Sequence, residues 1–304
     1  MRTKTGRHTR HIAAVLAVAA TIVLLATAAG CGGEATGPGG PSKGGSIQVK
    51  GSDTMVNLAQ MWAEKYMNKN PQVNIAVTGG GSGTGITAMI NGTTDIANSS
   101  REMKSKEKDE AKARGIEVEE HKVGLDGIAV IVHPTNKVTE VTIDQLADIF
   151  AGKITNWKDV GGEPGDIVVL SRESNSGTHV FFKEHVLNKG KSDGTVEFGP
   201  STLLMPSSQA IYDEAAQNQR AIGYVGLGYV KDRVRAKKVK KDAASPAVAP
   251  TIATVQSGEY PVSRPLYMYT KKGASQTVLD YLAWIKSDEG QKVVEELEFV
   301  PLKK

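Results

Sequence analysis

The sequence predicts an α/β protein with mainly parallel sheets, and three observations predict it. Strand and helix patterns alternate regularly from Ser46 onward, Ser-Gly-Thr turns recur where a strand hands over to a helix, and single apolar strands separate amphipathic segments. At 304 residues with 39% hydrophobic and 23% charged content, the chain is long enough for one large domain or two lobes with cores of their own.

The elements follow in order. "MRTKTGRHTR" is basic and Ile12 to Ala29 is apolar, the pattern of an export signal over residues 1–30. Such a run could also stay as a membrane span, for which about 20 apolar residues suffice. Cys31, the one cysteine of the chain, argues for cleavage: "AAGC" (Ala28 to Cys31) resembles a bacterial lipobox, in which the cysteine is lipidated, although Ala28 stands where a large aliphatic residue is usual. Removing residues 1–30 takes Arg2, Lys4, Arg7 and Arg10 from 37 basic side chains and none from 33 acidic ones, so the remainder is balanced. The basic total therefore belongs to the leader and gives no support to nucleic-acid binding. Residues 31–45, rich in Gly and Pro, read as a flexible tether.

"SIQVK" (Ser46 to Lys50) reads as a strand. "GSDTM" leads into a helix with Leu58, Met61, Trp62 and Tyr66 on one face, ended near Pro71. "VNIAVT" (Val73 to Thr78) is a half-buried strand, "GGGSGTG" a loop and "GITAMI" a helix start. "DIANSSR" (Asp95 to Arg101) and "GIAVIVHP" (Gly127 to Pro134) read as strands. Thr142 and Gln145 form a reciprocal capping pair at the start of "IDQLADIF". "DIVVLSRESNSGTHVFFKEHV" (Asp166 to Val186) repeats strand, polar loop, helix.

Ser-Gly-Thr at Ser82–Thr84 and at Ser176–Thr178, with Ser52–Thr54 as a looser third case, points free backbone N–H groups and hydroxyls beyond a helix start, where peptide dipoles favour negative charge. Each turn taken alone reads equally as a capped helix start; the repetition favours an anion cradle. The loop lacks the lysine of a phosphate-binding P-loop, and Ile86 breaks the dinucleotide pattern. Arg172, four residues before Ser176, and Arg101, closing "NSSR", offer planar forks of donors to an oxyanion, or else form ion pairs. Arg172 is expected to carry affinity and little of the unliganded stability. His179 and His185 are six apart and no Cys/His cluster exists, so neither a metal nor a cofactor is expected.

Together "GSDTM", "GGGSGTG", "DIANSSR", "DGIAVIVHP", "QLADIFAGKITNW", "SRESNSGTHVFF" and "AIGYVGLGYV", in this order from about Ser46 to the C-terminus, resemble the phosphate-binding proteins of bacterial phosphate ABC transporters. The resemblance implies a two-lobe periplasmic-binding-protein fold of type II. It implies a ligand cleft between lobe I (46–131 and 264–304) and lobe II (132–263), joined by two crossover strands near Val132 and Arg264. It implies a non-enzymatic, monomeric, extracytoplasmic receptor, anchored to the cell membrane by lipid on Cys31, that passes inorganic phosphate to an ABC permease and its ATPase. The family's ligand set falls on Thr54, Ser82, Arg172, Ser176, Gly177 and Thr178. Ser52, Thr84, Ser100 and Arg101 are added here as neighbours on the same loops. Ser100 departs from family members that place a proton-accepting aspartate there, so Asp126, or second Asp53, is expected to accept the ligand's proton, while Asp95 braces its strand end. Three alternatives stay open: a binder of tungstate or molybdate, a phosphate sensor without a transporter, and an exported serine hydrolase using Ser82 or Ser176, for which no base is visible.

Overall fold

The computed structural model describes residues 44–191 and 194–303; the expected leader, Cys31 and the tether to residue 43 lie outside the described residues. Chain order begins β1 (Ser46–Gly51), α1 (Val56–Lys69), β2 (Asn74–Thr78), α2 (Ser82–Ile90), β3 (Ile96–Ser99), α3 (Ser105–Ala113) and β4 (Val118–Val132). It continues with β5 (Glu140–Thr142), α4 (Ile143–Phe150), β6 (Val168–Arg172), α5 (Gly177–Phe182), β7 (Leu203–Met205), α6 (Ser208–Gln217), β8 (Ala221–Gly226), β9 (Arg235–Ala236) and β10 (Lys238–Lys240). α7 (Ile252–Ser257), β11 (Ser263–Lys271), α8 (Gln276–Lys286) and α9 (Asp288–Glu296) complete it.

One sheet runs β2-β1-β3-β11-β4-β8-β6-β7, with β9 alongside β4. Its flanks are parallel: β1 pairs with β2 and β3, and β6 with β7 and β8. Its centre is antiparallel, because β11 pairs with β3 and β4, and β4 with β8. The strand expected over 127–134 begins nine residues earlier, at Val118. Its charged first half, unreadable as a buried strand by composition, is held by ladder bonds to β11 from Val118 to Gly127. From Ile128 to Val132 the same strand pairs with β8. Asp126, opposite Arg264 in register, therefore sits where β4 changes partner.

Four apolar layers cover the sheet. Ile47, Leu58, Trp62, Met268, Tyr281 and Ile285 form one core under α1, α8 and α9; Ile86, Met89, Ala111, Tyr267 and Tyr269 pack on the opposite face under α2 and α3. Past the partner switch, Ile128, Val130 and Val132 face Phe150, Phe182 and Tyr224, while Ala129 and Ile131 face Leu170 and Ile211. This strict alternation is that of a strand buried on both faces. Each such side chain contributes roughly 1.5–3 kcal/mol on burial. The Thr142–Gln145 capping pair forms as expected, with the Gln145 amide donating to Thr142 Oγ1 at 3.0 Å and the Thr142 amide to Gln145 Oε1 at 2.9 Å. α3 has only Ala111 buried, so its sequence shows no apolar stripe to betray it.

Lys237 is fully buried, and its ammonium donates to Asn136 Oδ1 and the Val138 carbonyl with no carboxylate among those acceptors. Burial, helped by the nearby Arg235 charge, lowers its pKa from 10.5 to about 8. Between those two values the unfolded chain binds the proton that the folded one has lost, so stability rises with pH across this window; below about pH 8 the folded state carries the buried charge at a cost. Thermal melts of wild type against Lys237→Met should show the wild type gaining on the variant by order 1–3 kcal/mol from pH 7.5 to 10. A constant difference would show that Lys237 keeps an ordinary pKa.

Candidate functional site

β1, β2 and β3 are parallel neighbours, so their outgoing loops leave at one edge and bring Ser52 and Thr54, Ser82, and Ser100 together. β6 ends with Arg172, and its outgoing loop supplies Ser176, Gly177 and Thr178. Such an edge, at the carboxyl ends of strands, is where open α/β sheets place ligands.

The two sets of loops meet. Gly83 N donates to the Asn175 carbonyl at 3.1 Å, and Asn175 Nδ2 donates to the Gly80 carbonyl at 3.1 Å. Gly81 (φ 97°) lies so near Asn175 O that an added Cβ would come within 2.7 Å of it, which explains the glycine there. Thr54 Oγ1 and Thr178 Oγ1 are 2.7 Å apart. Ser52 Oγ donates to Ser100 Oγ at 2.9 Å, and Ser82 Oγ accepts from the Ser100 amide at 3.1 Å with Ser100 Oγ at 3.4 Å. All of these hydroxyls are buried. Ser176 Oγ accepts from the amides of Thr178 (3.2 Å) and His179 (3.4 Å), so it does cap its helix, and its hydroxyl hydrogen takes no part in those bonds.

Asp126 is fully buried. Its Oδ1 accepts from Leu227 N at 3.0 Å, and its Oδ2 accepts from Arg264 Nη2 at 2.9 Å and Nε at 3.2 Å. Burial pushes the carboxyl upward against the pull of Arg264, and pushes the guanidinium downward against the pull of Asp126. Three of its roughly four acceptor positions are thus taken by Arg264 and Leu227. Asp53 is likewise engaged: its Oδ2 accepts from Arg172 Nη1 (2.9 Å) and Ser208 N (2.8 Å). Asp95 braces the strand ends as expected, accepting from Gln48 N at 2.7 Å.

Arg172 is buried and, besides Asp53, tied to the loop between β7 and α6, since Nη1 also donates to Ser208 Oγ (3.0 Å), Nη2 to the Pro206 carbonyl (3.1 Å) and Nε to that of Met205 (3.3 Å). Two predicted residues are not brought into the cluster. Arg101 is clamped by Glu107 through two bonds of 2.7 and 2.8 Å, and although burial raises that carboxyl, the Arg101 bonds and charge outweigh it and hold it below the usual range. The Thr84 hydroxyl turns back one helical turn to the Gly80 carbonyl at 2.7 Å. Conversely, Arg264 was read only as part of a crossing strand, yet its Nη2 donates to Thr178 Oγ1 at 2.9 Å and lies 3.5 Å from Thr54 Oγ1. The signal available for it was an arginine heading a largely apolar run, "RPLYMYT".

The cluster has the donors of an anion site and lacks the base that a serine hydrolase pairs with its nucleophile. Among the described residues no histidine ring bonds Ser82 or Ser176; His179 Nδ1 meets Ser171 Oγ at 3.2 Å and its ring lies on Phe198. Among the same residues no group of three or more His, Cys, Asp or Glu could hold a metal.

The chain matches the PBP superfamily domain over residues 36–289. It is 33% identical to the "Phosphate-binding protein PstS" of Staphylococcus saprophyticus over 95% of this chain and 88% of that one. To the protein of the same name in Bacillus subtilis it is 32% identical over 93% and 91%. Among solved structures, a proposed phosphate ABC transporter substrate-binding protein of Clostridium perfringens with bound phosphate superposes with a TM-score of 0.76 at 33% identity, covering 85% of this chain and 100% of that one. An ABC-type phosphate transport receptor of Vibrio cholerae gives 0.67 at 28% identity, covering 84% and 100%.

Proposed function

The chain belongs to the PstS family of phosphate-binding proteins within the PBP superfamily, and on that premise we propose that it captures inorganic phosphate at the cluster just described, without turnover, for delivery to an ABC importer. The observation that carries the reading is the convergence of two Ser-Gly-Thr turns from distant parts of the chain, with Thr54 and Thr178 2.7 Å apart and Gly83 bonded to Asn175. The hydroxyls of Thr54, Ser82, Ser100, Ser176 and Thr178, the Gly177 amide and the last free N–H of Arg172 are the donors. Hydrogen bonds to a charged group contribute about 1.5–3 kcal/mol each, and micromolar affinity needs about 8 kcal/mol, so half a dozen such donors suffice after association entropy is met. A tetrahedral anion needs the Thr54–Thr178 pair to separate. We therefore place the motion at β4 and β11, between lobe I (46–131 and 264–304) and lobe II (132–263), with loading and release by opening and reclosing.

The basic-apolar leader and Cys31 support a receptor outside the cytoplasm, held to the membrane by lipid on that cysteine beside its permease and ATPase. The body, Ser42–Lys304, should bind phosphate in a calorimeter, with sulfate in large excess failing to displace it. No heat with phosphate refutes the reading; equal competition by sulfate refutes its selectivity. A second reading, another tetrahedral oxyanion such as tungstate or molybdate, is favoured by one observation: both nearby carboxylates, Asp53 and Asp126, are occupied by arginines and amides. Stronger heat with molybdate than with phosphate would select it.

A further inference from the structure

We propose that Arg264 is a direct ligand of the captured oxyanion, an inference that rests on the reading of the cluster as a phosphate cradle and adds to it a residue that neither turn supplies. The N–H inventory of the two buried arginines carries the assignment. An arginine has five N–H donors. Arg172 spends four, on Asp53, Ser208, Pro206 and Met205. Arg264 spends its Nε and one Nη2 hydrogen on Asp126 and the other Nη2 hydrogen on Thr178. Its Nη1, with two hydrogens, is buried and without a partner. Buried donors are almost always paired, and an unpaired one on a charged group calls for an explanation. The explanation lies beside it. The guanidinium touches the Thr54–Thr178 pair, the contact that an incoming anion has to open, so an anion entering there takes over the Nη2 bond and comes within reach of Nη1.

Two further features fit. Thr178 Oγ1 accepts from Arg264, which leaves its single hydrogen to donate outward, to Thr54 or to an anion in its place; Arg264 thus fixes the direction of a hydroxyl that could otherwise turn either way. The guanidinium carbon lies 5.6 Å from the centre of the Phe181 ring, and Arg264 with Phe181, His185, Arg101 and Tyr267 lines a cavity of about 580 Å³. Held by Asp126 at one edge and Phe181 on a face, the fork is pre-aimed, as a flexible ammonium is not. Asp126 is then a positioning residue: it fixes Arg264 and offsets part of its charge.

The experiment follows from that division of roles, using the full-length chain purified in detergent, phosphate as the titrant, calorimetry for affinity and ligand-free melting for integrity. Asp126→Asn removes the competing charge and should tighten phosphate binding by about tenfold while lowering the ligand-free midpoint. A brace with no ligand contact predicts the reverse, unchanged or weaker binding with the same loss of stability. The double variant Asp126→Asn, Arg264→Gln removes both buried charges, keeps the fold, and should bind at least about a hundredfold more weakly than Asp126→Asn alone. A folded double variant that binds like wild type overturns the proposal. Wild-type protein that fails to bind phosphate overturns instead the reading on which it rests, so the two failures are told apart.

Discussion

Arg172→Ala should lower the ligand-free melting midpoint by roughly 10 °C and weaken phosphate binding by at least about a hundredfold. The first figure comes from the bonds the residue makes. Removing one partner of a buried ion pair costs about 3–5 kcal/mol, and the lower end applies because Asp53 keeps 18% of its side chain exposed while Arg172 keeps 3%. In a body of this size each kcal/mol moves the midpoint by about 2–4 °C. Ser208, Pro206 and Met205 lose their donor as well, so the start of α6 and the end of β7 loosen with it. The second figure comes from the loss of a charge-assisted donor next to the Ser176 turn and from the disturbed aim of that turn. Asp53→Asn in the same background should restore part of the midpoint, since no carboxylate is left unpaired, and none of the affinity. Affinity that recovers in step with stability would make Arg172 a brace alone. This reverses the expectation drawn from sequence, in which Arg172 carried affinity with little effect on the unliganded protein. An arginine four residues before a helix start reads as a ligand because its local neighbours are polar; its true partners, 33 to 119 positions away, leave no trace in the local pattern.

The same contrast divides the rest of the molecule. Elements with a short-range signature were legible: the apolar face of α1 at Leu58, Trp62 and Tyr66, the Thr142–Gln145 cap of α4, and the strand-turn-helix runs that carry Ser82 and Ser176. What escaped was set by pairing at a distance. The first half of β4, "VEEHKVG", is polar enough to pass for a loop and becomes a strand because β11 runs beside it. The antiparallel centre of the sheet follows from those two long strands and not from the alternation of β and α units, which dictates only the parallel flanks. Asp126 was legible as a carboxylate on the first crossing strand, but its employment by Arg264 depended on a register between residues 138 apart. The ion pair of Arg101 was hidden for the opposite reason: its partner Glu107 is only six positions on, inside α3, a helix whose composition concealed it.

Gly177→Ala should leave the fold almost intact and weaken phosphate binding by about a hundredfold, because the added methyl obstructs the meeting of the two turns and nothing else. Gly177 opens α5 in helical conformation, where alanine is at least as favourable for the backbone. A Cβ built at this position, however, overlaps Ser82 Oγ and comes within 2.7 Å of Ser100 Oγ and 2.9 Å of Ser82 Cβ, all from the opposite set of loops. Serine is too short to swing clear, so relief requires the turns to part by a distance that the Gly83–Asn175 bond at 3.1 Å does not tolerate. Overpacking of this kind costs about 1–3 kcal/mol when the surroundings cannot yield; here they yield by opening, so the cost falls on closure around a ligand and the ligand-free midpoint moves by only a few degrees. Small-angle scattering on the variant with phosphate should show the larger radius of the parted form where the wild type contracts. Ser82→Gly in the same chain removes two of the three overlapping atoms and should restore contraction, while the missing hydroxyl keeps the affinity low. A Gly177→Ala protein that contracts and binds as the wild type does would mean that the turns stand apart when the anion is held, and the cradle would have to be built from other donors.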